Sequence, residues 1–169
     1  GYVPDSSAKM LRTGASKLFG VVIPSVTSPL FSRVVVAIEE RAFALGYDTL
    51  IGCTLNDPGR EEGVIRRLLA RGVEGLFVVP VYRLETEARI YKELALRGVP
   101  TVLVGHTAQF CASFPNVACD DLQAGHMVAS HLLQQGHRRI AFLCGSPGAP
   151  WSALRFEGYR SALRDQGLD

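Results

Sequence analysis

Short apolar runs alternate along this chain with stretches whose apolar positions recur every three or four residues. LFGVVIP at Leu18–Pro24 is an unbroken run of the length expected for a strand buried on both faces. Phe31, Val34, Val35, Ile38, Ala42 and Leu45 then follow at helical spacing until Gly46 closes the helix. The same reading predicts a strand at Tyr47–Cys53 and a helix to about Arg71, with Asp57 as its cap and Pro58 at its first position. A strand at Gly75–Val79, a helix over Thr86–Arg97 stopped by Gly98, and a strand at Val99–Val104 come next. A short strand at Asn116–Cys119, a helix capped by Asp120 or Asp121 and ended by Gly136, a strand at Arg139–Cys144 and a helix over Ser152–Gln166 complete the pattern.

Strands in strict alternation with helices of this length imply right-handed crossovers and doubly wound parallel sheets, an α/β fold. In such sheets ligands sit beyond the carboxyl ends of the strands. Those places are Ser25–Phe31, Pro80-Val81-Tyr82, Gly105-His106 and Gly145–Trp151. None carries a GxGxxG or GxxxxGK[ST] phosphate cradle, and neither a GxSxG elbow nor an HExxH pair occurs. His106, His126, His131 and His137 form no ligand set, and the Asp120-Asp121 pair reads as a helix start rather than a catalytic dyad. The expectation is a binding protein with no catalytic residues, no metal and no cofactor.

Charge sharpens this. The net charge of +2 resides wholly in Gly1–Lys17, where Lys9, Arg12 and Lys17 stand against Asp5, so only this arm hints at a polyanionic partner. With 47% hydrophobic residues the remainder can bury a core. No apolar run reaches the roughly 18 residues of a membrane span. The cysteines are scattered; Cys53, Cys119 and Cys144 lie in apolar, strand-like contexts and are expected to be buried thiols of a reducing cytoplasm.

The arm itself, GYVPDSSAKMLRTG, combines a compact helix start at Pro4–Ser7 with helix formers from Ala8 to Arg12 and a stop at Gly14. Barely two turns long, such a helix is marginal alone in water and should form only when a partner holds it. Together with KLFGVVIPSVTSPLF, this stretch resembles the hinge and first strand of the lactose/galactose-repressor (LacI/GalR) family of bacterial transcription regulators. The resemblance continues through NDPGREEGVIRRLLARGVEGLFVVP, VPTVLVGH, NVACDDLQAG, HLLQQGHRRIAFLCG and RFEGYRSALRDQGL. It departs from the family pattern where Asp5 replaces Asn, Lys9 replaces Arg, and Ser28-Pro29-Leu30-Phe31 replaces Asn-Pro-Phe-Phe.

The resemblance implies a periplasmic-binding-protein-like core of two lobes: a hinge and linker over residues 1–17 whose DNA-reading headpiece lies ahead of Gly1, a first lobe over 18–117, and a second, partly present, over 118–169. It implies a cytoplasmic homodimer that binds operator DNA, most often as a repressor, under control of a small-molecule effector, a sugar or related metabolite. The hinge helix would enter the minor groove with Leu11 wedged between base steps and Lys9 and Arg12 on phosphates. The effector would meet Ser28, Leu30 and Phe31 after the first strand, and Trp151 and Arg155 on the last helix. Arg155 offers a fixed fork of donors to paired hydroxyls or a carboxylate, and Trp151 a flat face for a ring, if it is not simply packed. Phe31 either faces the pocket or begins the buried stripe of its helix. Asp120 also belongs to this set, with helix capping and hinge geometry favoured over ligand contact. A periplasmic-type sugar binder for uptake or chemotaxis shares the fold but needs an export signal, whereas Gly1–Lys17 is hinge-like and lacks an apolar central stretch.

Overall fold

The structure, a computed structural model, describes residues 15–145 and 149–168. Lys9, Leu11 and Arg12, with the whole of the short helix expected in the arm, lie outside the described residues. The chain divides into two compact units, with the boundary after Val117.

In the first unit, β1 (Leu18–Ile23), β2 (Asp48–Cys53), β3 (Gly75–Val78), β4 (Thr101–Val104) and β5 (Asn116–Val117) form one parallel sheet in the order β2-β1-β3-β4-β5. Successive residues of β1 serve opposite faces, as the two-residue repeat of a strand requires. Val21 and Ile23 join Val79 under Phe31, Val35 and Ile38 of α1 (Pro29–Ala44). Val22 turns the other way, into a cluster with Ile65 and Leu68 of α2 (Pro58–Ala70) and Tyr91 and Leu94 of α3 (Arg89–Leu96). Covered on both faces, the strands have no need of polar residues, and this accounts for their unbroken apolar runs. The predicted caps hold: the Asp57 carboxylate accepts from the backbone of Arg60, with Pro58 at the first helical position. Leu45, by contrast, lies beyond the end of α1 and is 54% exposed, because the helix stops at Ala44 and Gly46 (φ 75°) reverses the chain.

The strands expected at Val99–Val104 and Asn116–Cys119 are shorter, Thr101–Val104 and Asn116–Val117, and two further elements differ more. The helix predicted from Thr86 begins at Arg89, because Ala88 is extended (φ −136°) and buried, so the chain crosses the core before it can coil. The strand predicted at Arg139–Cys144 is not formed. Its side chains alternate as in a strand, Ile140 and Phe142 inward and Leu143 98% exposed, but none of the described strands pairs with it. The same lack of neighbours leaves Cys144 exposed, and Cys119, in the segment just past the unit boundary, is exposed as well; the buried thiol is Cys111, with Cys53 half-buried.

The second unit is built on the crossing of α4 (Asp121–Gln134) and α5 (Pro150–Asp165). The two backbones touch at glycines. A Cβ on Gly125 would lie 2.1 Å from the Arg155 carbonyl oxygen, and one on Gly158 would lie 2.0 Å from that of Leu122. Ala129 and Ala162, one turn further along each helix, are buried in the same seam beside Leu133 and Leu163. Phe142 packs its ring against Phe156 and Tyr159 at 5.3 and 5.2 Å, and the Tyr159 hydroxyl donates to the Ile140 carbonyl at 2.7 Å. Among the described residues no helix is long and apolar enough to cross a membrane.

The glycine contacts predict opposite effects for one substitution in two places. Gly125→Ala or Gly158→Ala must push two backbones apart and should cost about 3 kcal/mol. Gly63→Ala, inside α2 with open space around it, should stabilise by up to about 1 kcal/mol. Urea unfolding of the three variants checks this.

Candidate functional site

The carboxyl ends of the first unit's strands carry four loops. After β1, Ser25 and Thr27 join hydroxyls at 2.8 Å, and the Ser32 hydroxyl donates to the carbonyls of Val26 and Ser28 at 2.6 and 2.9 Å, so this loop is tied to the first turn of α1. Ser28 is the N-cap of α1, yet its hydroxyl makes no capping bond. Leu30 is 66% exposed, while Phe31 packs against the cluster of Val21, Ile23 and Val79. After β2, Leu55 and Asn56 both adopt left-handed backbone (φ 52° and 58°), a tight turn held by the Leu55 N–H on the Pro24 carbonyl at 2.9 Å. Tyr82 after β3 meets His106 after β4, ring edge to face, at 6.3 Å. Position alone pointed to those two loops; the pairing of their rings needs the fold.

Behind the β3 loop lies a buried charge. Glu61 of α2 is fully buried, and its Oε1 accepts from the Val81 N–H at 2.7 Å and the Tyr91 hydroxyl at 2.9 Å. Its Oε2 is paired with Arg83 Nη2, and the Arg83 guanidinium lies 4.7 Å over the Phe110 ring. Burial pushes the Glu61 carboxyl up from the usual carboxylate range, while the Val81 N–H, the Arg83 charge and the Tyr91 hydroxyl pull it back. The loop that follows β3 is thus fixed from below by one carboxylate.

In the second unit the Asp120 side chain caps α4 by accepting from the Gln123 N–H at 2.9 Å, the role favoured for it from sequence. Its neighbour Asp121, first residue of the helix, does something sequence did not show. Its Oδ1 accepts from Arg155 Nε at 2.7 Å, a bond across the glycine crossing. Asp121 is well shielded and Arg155 half exposed (15% and 52%), so the acid orients the guanidinium through its inner nitrogen, and among the described residues the outer pair has no carboxylate partner. Trp151, half-buried, sits one turn before Arg155 on α5. Ser146, Pro147 and Gly148 of the preceding loop lie outside the described residues. The first unit thus carries Ser28, Leu30 and Phe31, and the second brings Asp120, Asp121, Trp151 and Arg155 to one end of its helix pair. No cluster of three or more metal-ligating side chains occurs among the described residues.

The family of periplasmic binding proteins and sugar binding domain of LacI family matches residues 16–169. The chain belongs to the LacI family. Among its relatives, the HTH-type transcriptional repressor CytR of Escherichia coli is 27% identical over 168 residues, 99% of this chain and 48% of that protein. The HTH-type regulator GntR of the same species is 28% identical over the same share of the chain. The Cra transcriptional dual regulator of Pseudomonas putida, solved in complex with fructose 1-phosphate, superposes with a TM-score of 0.78 at 29% identity over 88% of this chain and 54% of that one. CcpA of Lactococcus lactis gives 0.75 at 25% identity, over 90% and 55%. The chain spans about half the length of the curated relatives it matches. For this LacI-family core, the buried pair makes a clear prediction. Arg83→Ala strands the Glu61 charge and should cost about 3–5 kcal/mol. A carboxyl whose folded pKa is raised loses stability as pH rises through that value, so the variant should grow more stable as pH falls from 7 to 5. Urea unfolding across that window reads both.

Proposed function

We propose that this chain is the hinge and part of the sensing core of a bacterial transcription regulator, which binds operator DNA in the cytoplasm under control of a small carbohydrate or sugar phosphate. The observation that carries the reading is that likeness to HTH-type regulators extends over 99% of the chain, the basic arm Gly1–Lys17 included. A periplasmic binder would share the α/β body but has no use for that arm. In the second unit Arg155, held by Asp121, is the main effector-binding group, with Trp151 offering an apolar face and Asp120 shaping the start of α4; in the first unit Ser28 and Leu30 are the candidate effector contacts. A guanidinium with two outward donors suits a phosphate or vicinal hydroxyls, consistent with the fructose 1-phosphate held by the Pseudomonas relative.

In the arm, Lys9 and Arg12 lie on phosphates and Leu11 wedges into the minor groove. The regulator works as a homodimer through the outer face of α1 and the edge strand β2, where Val36, Phe43 and Ile51 are 54, 72 and 46% exposed; sedimentation equilibrium that finds only monomer at micromolar concentration would refute this. Control is a population shift: the effector must bind one state of the protein better, typically by about 1–3 kcal/mol.

A thermal-shift panel of sugars, sugar phosphates and nucleobases on the full-length protein should reveal a stabilising ligand. Arg155→Ala should weaken that ligand at least about tenfold, the worth of a charged hydrogen bond, with DNA binding unchanged. Undiminished ligand response in the variant would remove Arg155 from the site.

A further inference from the structure

At the amino end of β1 the chain enters the sheet through Lys17, whose backbone is left-handed (φ 56°), a conformation unusual for a residue with a side chain. Glu74, in the turn before β3, grips this point twice. Its N–H donates to the Leu18 carbonyl at 2.8 Å, while its Oε1 accepts from the Lys17 N–H at 2.9 Å and from the Ser16 hydroxyl at 3.4 Å. Tyr47, before β2, completes the fixture. Its ring stacks on Phe19 at 4.2 Å and carries the Lys17 ammonium 4.4 Å from its centroid. The Lys17 carbonyl in turn accepts from the Asp48 N–H at 2.8 Å. The Lys17 N–H, the Tyr47 hydroxyl and the Lys17 charge together hold the Glu74 carboxyl below the ordinary carboxylate range.

A parallel strand needs none of this to pair: Leu18 already lies opposite Asp48 in the register of β1 and β2. The extra bonds act one and two residues earlier, on Ser16 and Lys17, where they fix the direction in which the chain approaches the sheet. The basic stretch GYVPDSSAKMLRTG is attached at that point. We propose that Glu74 is a positioning residue for DNA binding: its carboxylate sets the path of Ser16-Lys17 and so couples the first unit to the arm that grips the duplex. This rests on the DNA-binding reading above.

The test uses the full-length protein and a duplex that the unmodified protein selects from a random library. Glu74→Ala should weaken binding to that duplex by about tenfold, within the range of coupling between linked sites, with the melting temperature within about 3 °C of the parent. Glu74→Gln, which keeps an acceptor for both donors, should recover most of the affinity, and Ser16→Ala should lose about threefold. Equal affinity of Glu74→Ala and parent overturns the proposal, as does Glu74→Gln binding no better than Glu74→Ala, since a lost acceptor would then not be the cause. Should Glu74→Ala fail to fold, Ser16→Ala and Tyr47→Phe decide it, and unchanged affinity in both overturns it. Failure of the unmodified protein to enrich any duplex defeats the DNA-binding reading and this role with it.

Discussion

The first unit is organised around β1. Flanked by β2 and β3, with Val21, Val22 and Ile23 all but inaccessible to water, this strand is held by two ladders and by packing on both faces. Such a strand cannot bend locally, because close-packed interiors shift as bodies rather than stretch. Its carboxyl end delivers the Ser25–Phe31 stretch, tied by hydroxyls to the start of α1. Its amino end delivers Lys17 and the fixture of Glu74 and Tyr47. One rigid element therefore joins the loop proposed to sense a metabolite to the point where the arm begins. A regulator needs such a link, since a ligand can shift DNA affinity only if its site and the arm bias the same discrete states.

Three acidic side chains show how differently one chemical group is used. Glu61 is buried, its charge tolerable only because an N–H, a hydroxyl and a guanidinium converge on it, and it anchors the loop after β3. Asp121, at the surface end of a helix crossing, orients the arginine proposed to meet the effector. Glu74 binds backbone and hydroxyl donors where the chain enters the sheet. In each case the carboxylate holds something else in place.

The alternation of apolar runs and helical stripes, with caps at Asp57 and Asp120, was legible because these are local properties of neighbouring residues. What sequence concealed was long-range. Glu74 meets residues 57 and 58 positions away, Asp121 and Arg155 are 34 apart, and Glu61 and Arg83 are 22 apart. No periodicity announces such pairs. The glycines at 125 and 158 stood inside the motifs that carry the family resemblance, but their purpose, letting two helix backbones touch, appears only once the helices cross. Arg139–Cys144 has every local mark of a strand; a strand is made by its neighbours, and none of those described pairs with it. The candidate site was half legible: the loops followed from the topology rule, while the acid that aims Arg155 did not.

Footprinting of the full-length protein on the region upstream of its own gene reads out whether this α/β body governs a grip on DNA exerted by the short basic segment ahead of it. A protected, bent duplex is expected, its protection relieved or strengthened by a sugar or sugar phosphate that also raises the melting temperature. A protein that binds such a ligand tightly yet protects no DNA, with or without it, would contradict the account.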